Sequence, residues 1–124
     1  MRAYSDQRLR DLGLTFSAPA PGDAGYDLYA TEAAAIAPGE RALIPTGITL
    51  EIPPGYVGLV KDRSSMALAG LHTMGGVIDA AYRGEVKVIL LNTTREAYAV
   101  TAGQKIAQIV ILPCYVEAVE GVVA

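Results

Sequence analysis

The sequence holds one cysteine, one histidine, one phenylalanine and no tryptophan in 124 residues. A lone thiol closes no disulfide within the chain and builds no cysteine zinc cluster. A serine triad has His72 as its only possible base, and no serine sits in a G-x-S-x-G elbow. Neither G-x-x-x-x-G-K-[ST] nor G-x-G-x-x-G occurs, which closes the P-loop and dinucleotide-fold routes. Ten basic and 13 acidic residues give a net charge of −3, and no basic run is present, so a nucleic-acid partner is not expected. No apolar run approaches the roughly 20 residues that span a bilayer. The N-terminal stretch MRAYSDQRLRDLG carries charges where a signal peptide has an apolar core. A soluble, cytoplasmic protein is the expectation.

What is present points to a folded chain. Hydrophobic residues make up 52% and charged residues 19%, far from the composition of a disordered segment. The length fits one domain over residues 1–124. Thirteen Gly and seven Pro punctuate short apolar runs, the mark of many turns and short strands. Residues 1–18 fit either an edge strand or a short helix. The irregular stretch SAPAPGDAGYDLYA that follows is long for a connector, and long loops in compact domains are often functional. Leu43 and Ile44 are expected to stop at Pro45. Ile48, Leu50 and Ile52 alternate with Thr49 and Glu51, a half-buried strand. Pro53-Pro54-Gly55 is a turn, predicting a hairpin with Tyr56–Lys61. SSMALAG at 64–70 predicts a helical turn or two ending at Gly70. Residues 71–79 and 85–92 predict a second hairpin around the loop 80–84, its outer strand apolar enough to be buried on both faces. Two more strands are expected near 97–101 and 105–112, and the tail CYVEAVEGVVA is expected to reach a neighbouring chain. Strands at this spacing indicate an all-β sandwich, jelly roll or barrel.

The chemistry-bearing residues crowd at the ends of these runs: Asp27, then Arg63 with Ser64 and Ser65, then Asp79 before Tyr82-Arg83-Gly84, then Gln104, Lys105 and Gln108. Arg63 offers a forked donor matched to phosphate oxygens. The serines add hydroxyls and backbone N–H groups, and Asp79 is a carboxylate able to hold and deprotonate a water. Singly, each is equally a turn former or surface polar; together they describe a phosphate-handling site. His72 reads as a polar edge residue and Cys114 as a small buried hydrophobe.

The segments AGYDLYA, RSSMALAG, GGVIDAAYRGEVKVILLN and GQKIAQIVI, in this order over residues 24–111, resemble four of the five motifs of the trimeric dUTP diphosphatases, the dUTPases. The resemblance implies a jelly-roll-like distorted β-barrel, a homotrimer with active sites between subunits, and Mg²⁺-assisted hydrolysis of dUTP to dUMP and diphosphate. It implies that Asp79 activates the attacking water and that Tyr82 packs on the deoxyribose and crowds out a 2′-hydroxyl. Residues 73–79, including Thr73, Gly76, Val77 and Ile78, would form the hairpin that reads uracil, with Lys87 also among the substrate contacts. Arg63, Ser64, Ser65 and Gln108 would meet the phosphates, and Asp27 would lie near the metal. Three departures stand out. Asp62 replaces the usual Pro, setting a carboxylate beside a triphosphate site. Ser65 replaces Gly. The Gly-rich fifth motif is not among the 124 residues, and a closing segment of that kind is expected after Ala124. A dCTP deaminase of the same barrel, or a bifunctional form, is the alternative enzyme. That family places a catalytic Glu where this chain has Val88 to Leu90, and an Arg where it has Met66, Ala67 and Leu68. A non-catalytic nucleotide-binding barrel is the reading from a different class.

Overall fold

The computed structural model describes residues 1–124. Ten strands and two one-turn helices follow one another along the chain. The ambiguous start is both elements at once: β1 (Arg2–Ser5), then α1 (Gln7–Asp11), whose first turn is capped by the Asp6 carboxylate accepting from the Leu9 N–H. Then come β2 (Tyr26–Tyr29), β3 (Ala34–Ile36), β4 (Arg41–Glu51) and β5 (Tyr56–Lys61). The second half holds α2 (Ser64–Leu68), β6 (Leu71–Met74), β7 (Val77–Ile78), β8 (Glu85–Asn92), β9 (Tyr98–Val100) and β10 (Lys105–Pro113).

Two four-stranded sheets, β1-β4-β8-β6 and β2-β10-β5-β7, and a small β3-β9 pair make up the jelly roll. All strand pairs are antiparallel. Between the sheets lies a single core to which β4 and β8 give Ile44, Ile48, Leu50, Val86, Val88 and Leu90, and β10 gives Ile106, Ala107 and Ile109. No helix is long and apolar enough to cross a membrane.

Four expectations are corrected. β4 does not stop at Pro45 but runs through it, because the register with β8 shifts between Pro45 and Ile48. A bulge tolerates a residue with no N–H to give. Pro53-Pro54-Gly55 does turn the chain, with the Tyr56 N–H on the Pro53 carbonyl, but it makes no hairpin. β4 lies in one sheet and β5 in the other, so the turn is a crossover. The second hairpin is split as well. β6 pairs with β8, whereas β7 crosses to pair with β5. Gly75 and Gly76, at φ of 64° and 96°, make the bend that ordinary residues resist. Finally, β8 is buried on one face only. Lys87 is exposed and Ile89 and Leu91 are half-covered, beside an outward Leu43 that is 59% exposed.

Candidate functional site

The largest cavity, about 650 Å³, opens where β2, β10 and the start of α2 meet the irregular stretch 15–25. β2 contributes Asp27 and Tyr29, α2 and its preceding residue contribute Arg63, Ser64 and Ser65, and β10 contributes Lys105 and Gln108. Asp27 and Gln108 face each other across the β2–β10 ladder, so strand pairing alone sets them side by side. Five of the expected residues, Asp27, Arg63, Ser64, Ser65 and Gln108, are thereby brought together. Lys105, which the sequence placed only in a motif, faces the same space. Its ammonium lies 3.3 Å from the Asp27 carboxylate and 6.0 Å from the centre of the Tyr29 ring. Thr15, Ser17 and Asp23 complete a strongly polar wall from the long loop, which the loop's length had flagged without naming residues. α2 begins at Arg63 with no side-chain cap. Met66 anchors it inside, its sulfur meeting the Tyr98 hydroxyl at 3.4 Å and the Gln104 amide nitrogen at 3.7 Å.

Asp79, Val77, Ile78, Tyr82 and Lys87 come together elsewhere. With Leu43 and Glu85 they line a second cavity of about 270 Å³ at the end of β7 and the start of β8. Asp79 is exposed and takes part in none of the chain's four ion pairs. The Tyr82 ring lies over Gly84, where even a methyl group would meet its Cζ at 2.7 Å. Its hydroxyl donates to the Glu85 carbonyl at 2.7 Å. Glu85 turns its own carboxylate away, to the Gly47 N–H at 2.9 Å and the Arg8 guanidinium at 2.6 Å. No cavity contains residues of both groups.

Thr73 and Gly76 lie apart from Tyr82, in a third cavity of about 480 Å³ with Asp62 and His72. Thr73 is 8% exposed, and both its N–H and its hydroxyl donate to Asp62 Oδ1 at 2.6 Å. The Gly76 carbonyl is taken by the Val60 N–H at 2.8 Å. Asp62 itself does not line the large cavity. Burial pushes its carboxyl up, but the Thr73 donors and His72, 2.7 Å from Oδ2, outweigh that and hold it below the usual carboxylate range. Cys114 is half-buried and free, beside Asp79 and Ala80 in a small cavity of about 260 Å³.

A Mg²⁺ ion asks for six oxygens and commonly takes one or two carboxylates, with phosphates and waters for the rest. No cluster of three His, Cys, Asp or Glu side chains exists to hold an ion by protein alone. The Asp23 and Asp27 carboxylates in the large cavity fit the other arrangement, an ion carried in on phosphate oxygens.

The dUTPase family model matches residues 15–123. The chain belongs to the dUTPase family. This dUTPase-family chain is 50% identical over 95 residues to the deoxyuridine 5′-triphosphate nucleotidohydrolase of Anaeromyxobacter sp. (strain Fw109-5), a match covering 74% of the chain and 65% of that relative. It thus spans less than two thirds of the relative's length. Among solved structures, a variant of the Staphylococcus bacteriophage 80alpha dUTPase with dUpNHpp superposes with a TM-score of 0.85 at 26% identity, covering 98% of this chain and 86% of that one. The dUTPase of phage phi11 of S. aureus, in a variant described for coordination of a structural Mg(II) ion, gives a TM-score of 0.86 at 26% identity, covering 98% and 95%.

Proposed function

We propose that the protein hydrolyses dUTP to dUMP and diphosphate at a site shared between chains of a homotrimer. The observation that carries this is the division of the site. One chain presents a polar cavity of about 650 Å³ that bears Arg63 and Lys105 and, apart from it, a smaller cavity with an unpaired carboxylate and an aromatic ring. Neither half suffices. A nucleoside seated by Val77, Ile78 and Tyr82 leaves its phosphates without a cation from that wall other than Lys87, and Asp79 does not reach the large cavity. Juxtaposing the halves of two chains completes the set. The exposed Leu43 on β4 beside the half-covered Ile89 and Leu91 on β8 supports an assembled rather than a solitary chain.

In this reading the uracil lies against the bend of residues 75–78. Hydrogen bonds that cytosine cannot return reject it, since a mispaired edge leaves buried groups unsatisfied. The Tyr82 ring, fixed by its bond to the Glu85 carbonyl, packs on the deoxyribose where a 2′-hydroxyl would stand. Arg63, the serines and Gln108 take the phosphate oxygens, with Lys105 exchanging Asp27 for them. Asp79 accepts a proton from water as its oxygen bonds the α-phosphorus; the bond from that phosphorus to the bridging oxygen breaks, and diphosphate leaves. Asp27 would help to hold a Mg²⁺ ion brought in on the phosphates, which would supply charge neutralisation. The catalytic Glu position of a deaminase is occupied by Val88 and Leu90, at 1% and 0% exposure in the core, and the half-covered Ile89, so that reading has no base.

The test is incubation of the full chain with Mg²⁺ and dUTP, dCTP, dTTP or UTP in turn, with diphosphate and ammonia scored separately. Diphosphate from dUTP alone is expected. Ammonia from dCTP, or no turnover of any nucleotide, would overturn the proposal.

A further inference from the structure

We propose that Asp62 is a positioning residue that holds the Arg63–Ser65 turn and Gln108 in place for a triphosphate. The inference rests on reading the large cavity as the phosphate end of the site.

Asp62 is the single residue between the end of β5 and the residue that opens α2. Its side chain reaches β6. One carboxylate oxygen takes both Thr73 donors at 2.6 Å, and the other lies 2.7 Å from His72 Nδ1. Its backbone carbonyl reaches β10, accepting from Gln108 Nε2 at 3.0 Å. One residue thus joins three segments, and two of them supply the cavity's polar wall. α2 is a single turn with no side-chain cap, and Leu68 near its far end is 92% exposed. Its anchors are Met66, packed inside, the Gly70 carbonyl, which accepts from the Thr93 N–H and hydroxyl beyond its far end, and Asp62 at the entrance beside the cavity wall. Charge-assisted bonds such as those at Asp62 are about twice as strong as neutral ones, which suits a tether that must hold a backbone turn. Asp62 does not line the large cavity; it lines the cavity of about 480 Å³ with Thr73, Gly75 and Gly76, so its effect on the phosphates passes through Arg63, Ser64 and Gln108.

The tether predicts a phosphate-specific defect when it is cut. Asp62→Ala removes the link to β6. Asp62→Asn keeps an acceptor oxygen for Thr73 and should rescue most of the loss. Calorimetric titration of the full chain with dUMP and with dUpNHpp separates the two ends of the ligand. For Asp62→Ala, affinity for dUpNHpp should fall roughly tenfold, the worth of one or two lost bonds, with dUMP within about twofold of the parent. Amide hydrogen exchange of the ligand-free chain should quicken at residues 63–68 in Asp62→Ala and not in Asp62→Asn. Thr73→Val, which loses only the hydroxyl bond, should give a smaller change of the same kind and serves if Asp62→Ala does not fold. Equal losses for both nucleotides, or unchanged exchange at 63–68, would overturn the proposal. A parent chain that binds neither nucleotide would instead sink the functional reading, and the exchange result would then decide the positioning role by itself.

Discussion

Gly25 packs directly under the amide of Gln108, and replacing it with alanine isolates the contribution of that contact. Its backbone is not in the left-handed region, so the substitution carries no conformational strain of its own. A Cβ there would stand 3.0 Å from both Cβ and Cδ of Gln108 and overlap its amide oxygen. The flexible end of Gln108 can swing aside, but its Cβ is fixed by the β10 ladder between Asp27 and Lys61. Swinging aside breaks the bond from Nε2 to the Asp62 carbonyl, which contributes about 0.5–1.5 kcal/mol. Overpacking against a fixed Cβ costs about 1–3 kcal/mol. Unfolding entropy of about 2.1 cal/mol/K per residue over 124 residues makes each kcal/mol worth about 4 °C in Tm. Gly25→Ala should therefore melt roughly 6–18 °C below the parent and bind dUpNHpp roughly tenfold more weakly, with dUMP affinity kept. Scanning calorimetry and titration read both. A variant that melts with the parent and binds dUpNHpp equally well would show that Gln108 does not rest on Gly25 and that this contact does not shape the cavity wall.

Asp79→Asn should leave nucleotide binding intact and lower turnover by about 10²–10⁴-fold, read by diphosphate release; activity within a few-fold of the parent would remove Asp79 from the chemistry. Tyr82→Ala should narrow the preference for dUTP over UTP, and an undiminished ratio of kcat/KM values would mean that another group reads the sugar. The Asp62 carboxyl has its proton affinity lowered by folding. Its stabilisation is thus complete above the unfolded value of about 3.9 and is lost as pH falls through the lower, folded value. Asp62→Asn should accordingly flatten the acid limb of stability measured by urea unfolding, and an unaltered limb would contradict the hydrogen bonds drawn to Thr73 and His72.

The local elements were legible where one physical rule dominated. The alternation at Ile48, Leu50 and Ile52 gave a strand with the correct face inward, and Gly70 does end α2, at φ of 87°. Partnership was not legible. Pro53-Pro54-Gly55 marks a turn equally well whether the next strand folds back or crosses to another sheet, and only the closure of the core between two sheets decides it. The same holds at Gly75-Gly76, where an apparent long strand divides between sheets. Bulges hid further facts. Ile106 and Ala107 are both buried although adjacent, because the β2–β10 register shifts between Lys105 and Ala107; strict alternation would not put Lys105 on the same cavity as Gln108. The motif residues do gather in space, Asp27, Arg63, Ser64, Ser65 and Gln108 around one cavity and Asp79 and Tyr82 around another. Sequence places Asp62 next to Arg63 but says nothing of its side chain, which Thr73 and His72 draw away from the large cavity.

The most direct test of a site divided between chains is complementation. Asp79→Asn and Arg63→Ala chains, each inactive alone, are unfolded together in equal amounts, refolded, and assayed for diphosphate release from dUTP. If Asp79 of one chain works with Arg63 of another, random assembly pairs an intact half with an intact half at about one quarter of the sites, and that share of the parent's activity should return. If both residues serve a site within one chain, every chain in the mixture keeps one defect. No activity would then return, and a site shared between chains would be contradicted.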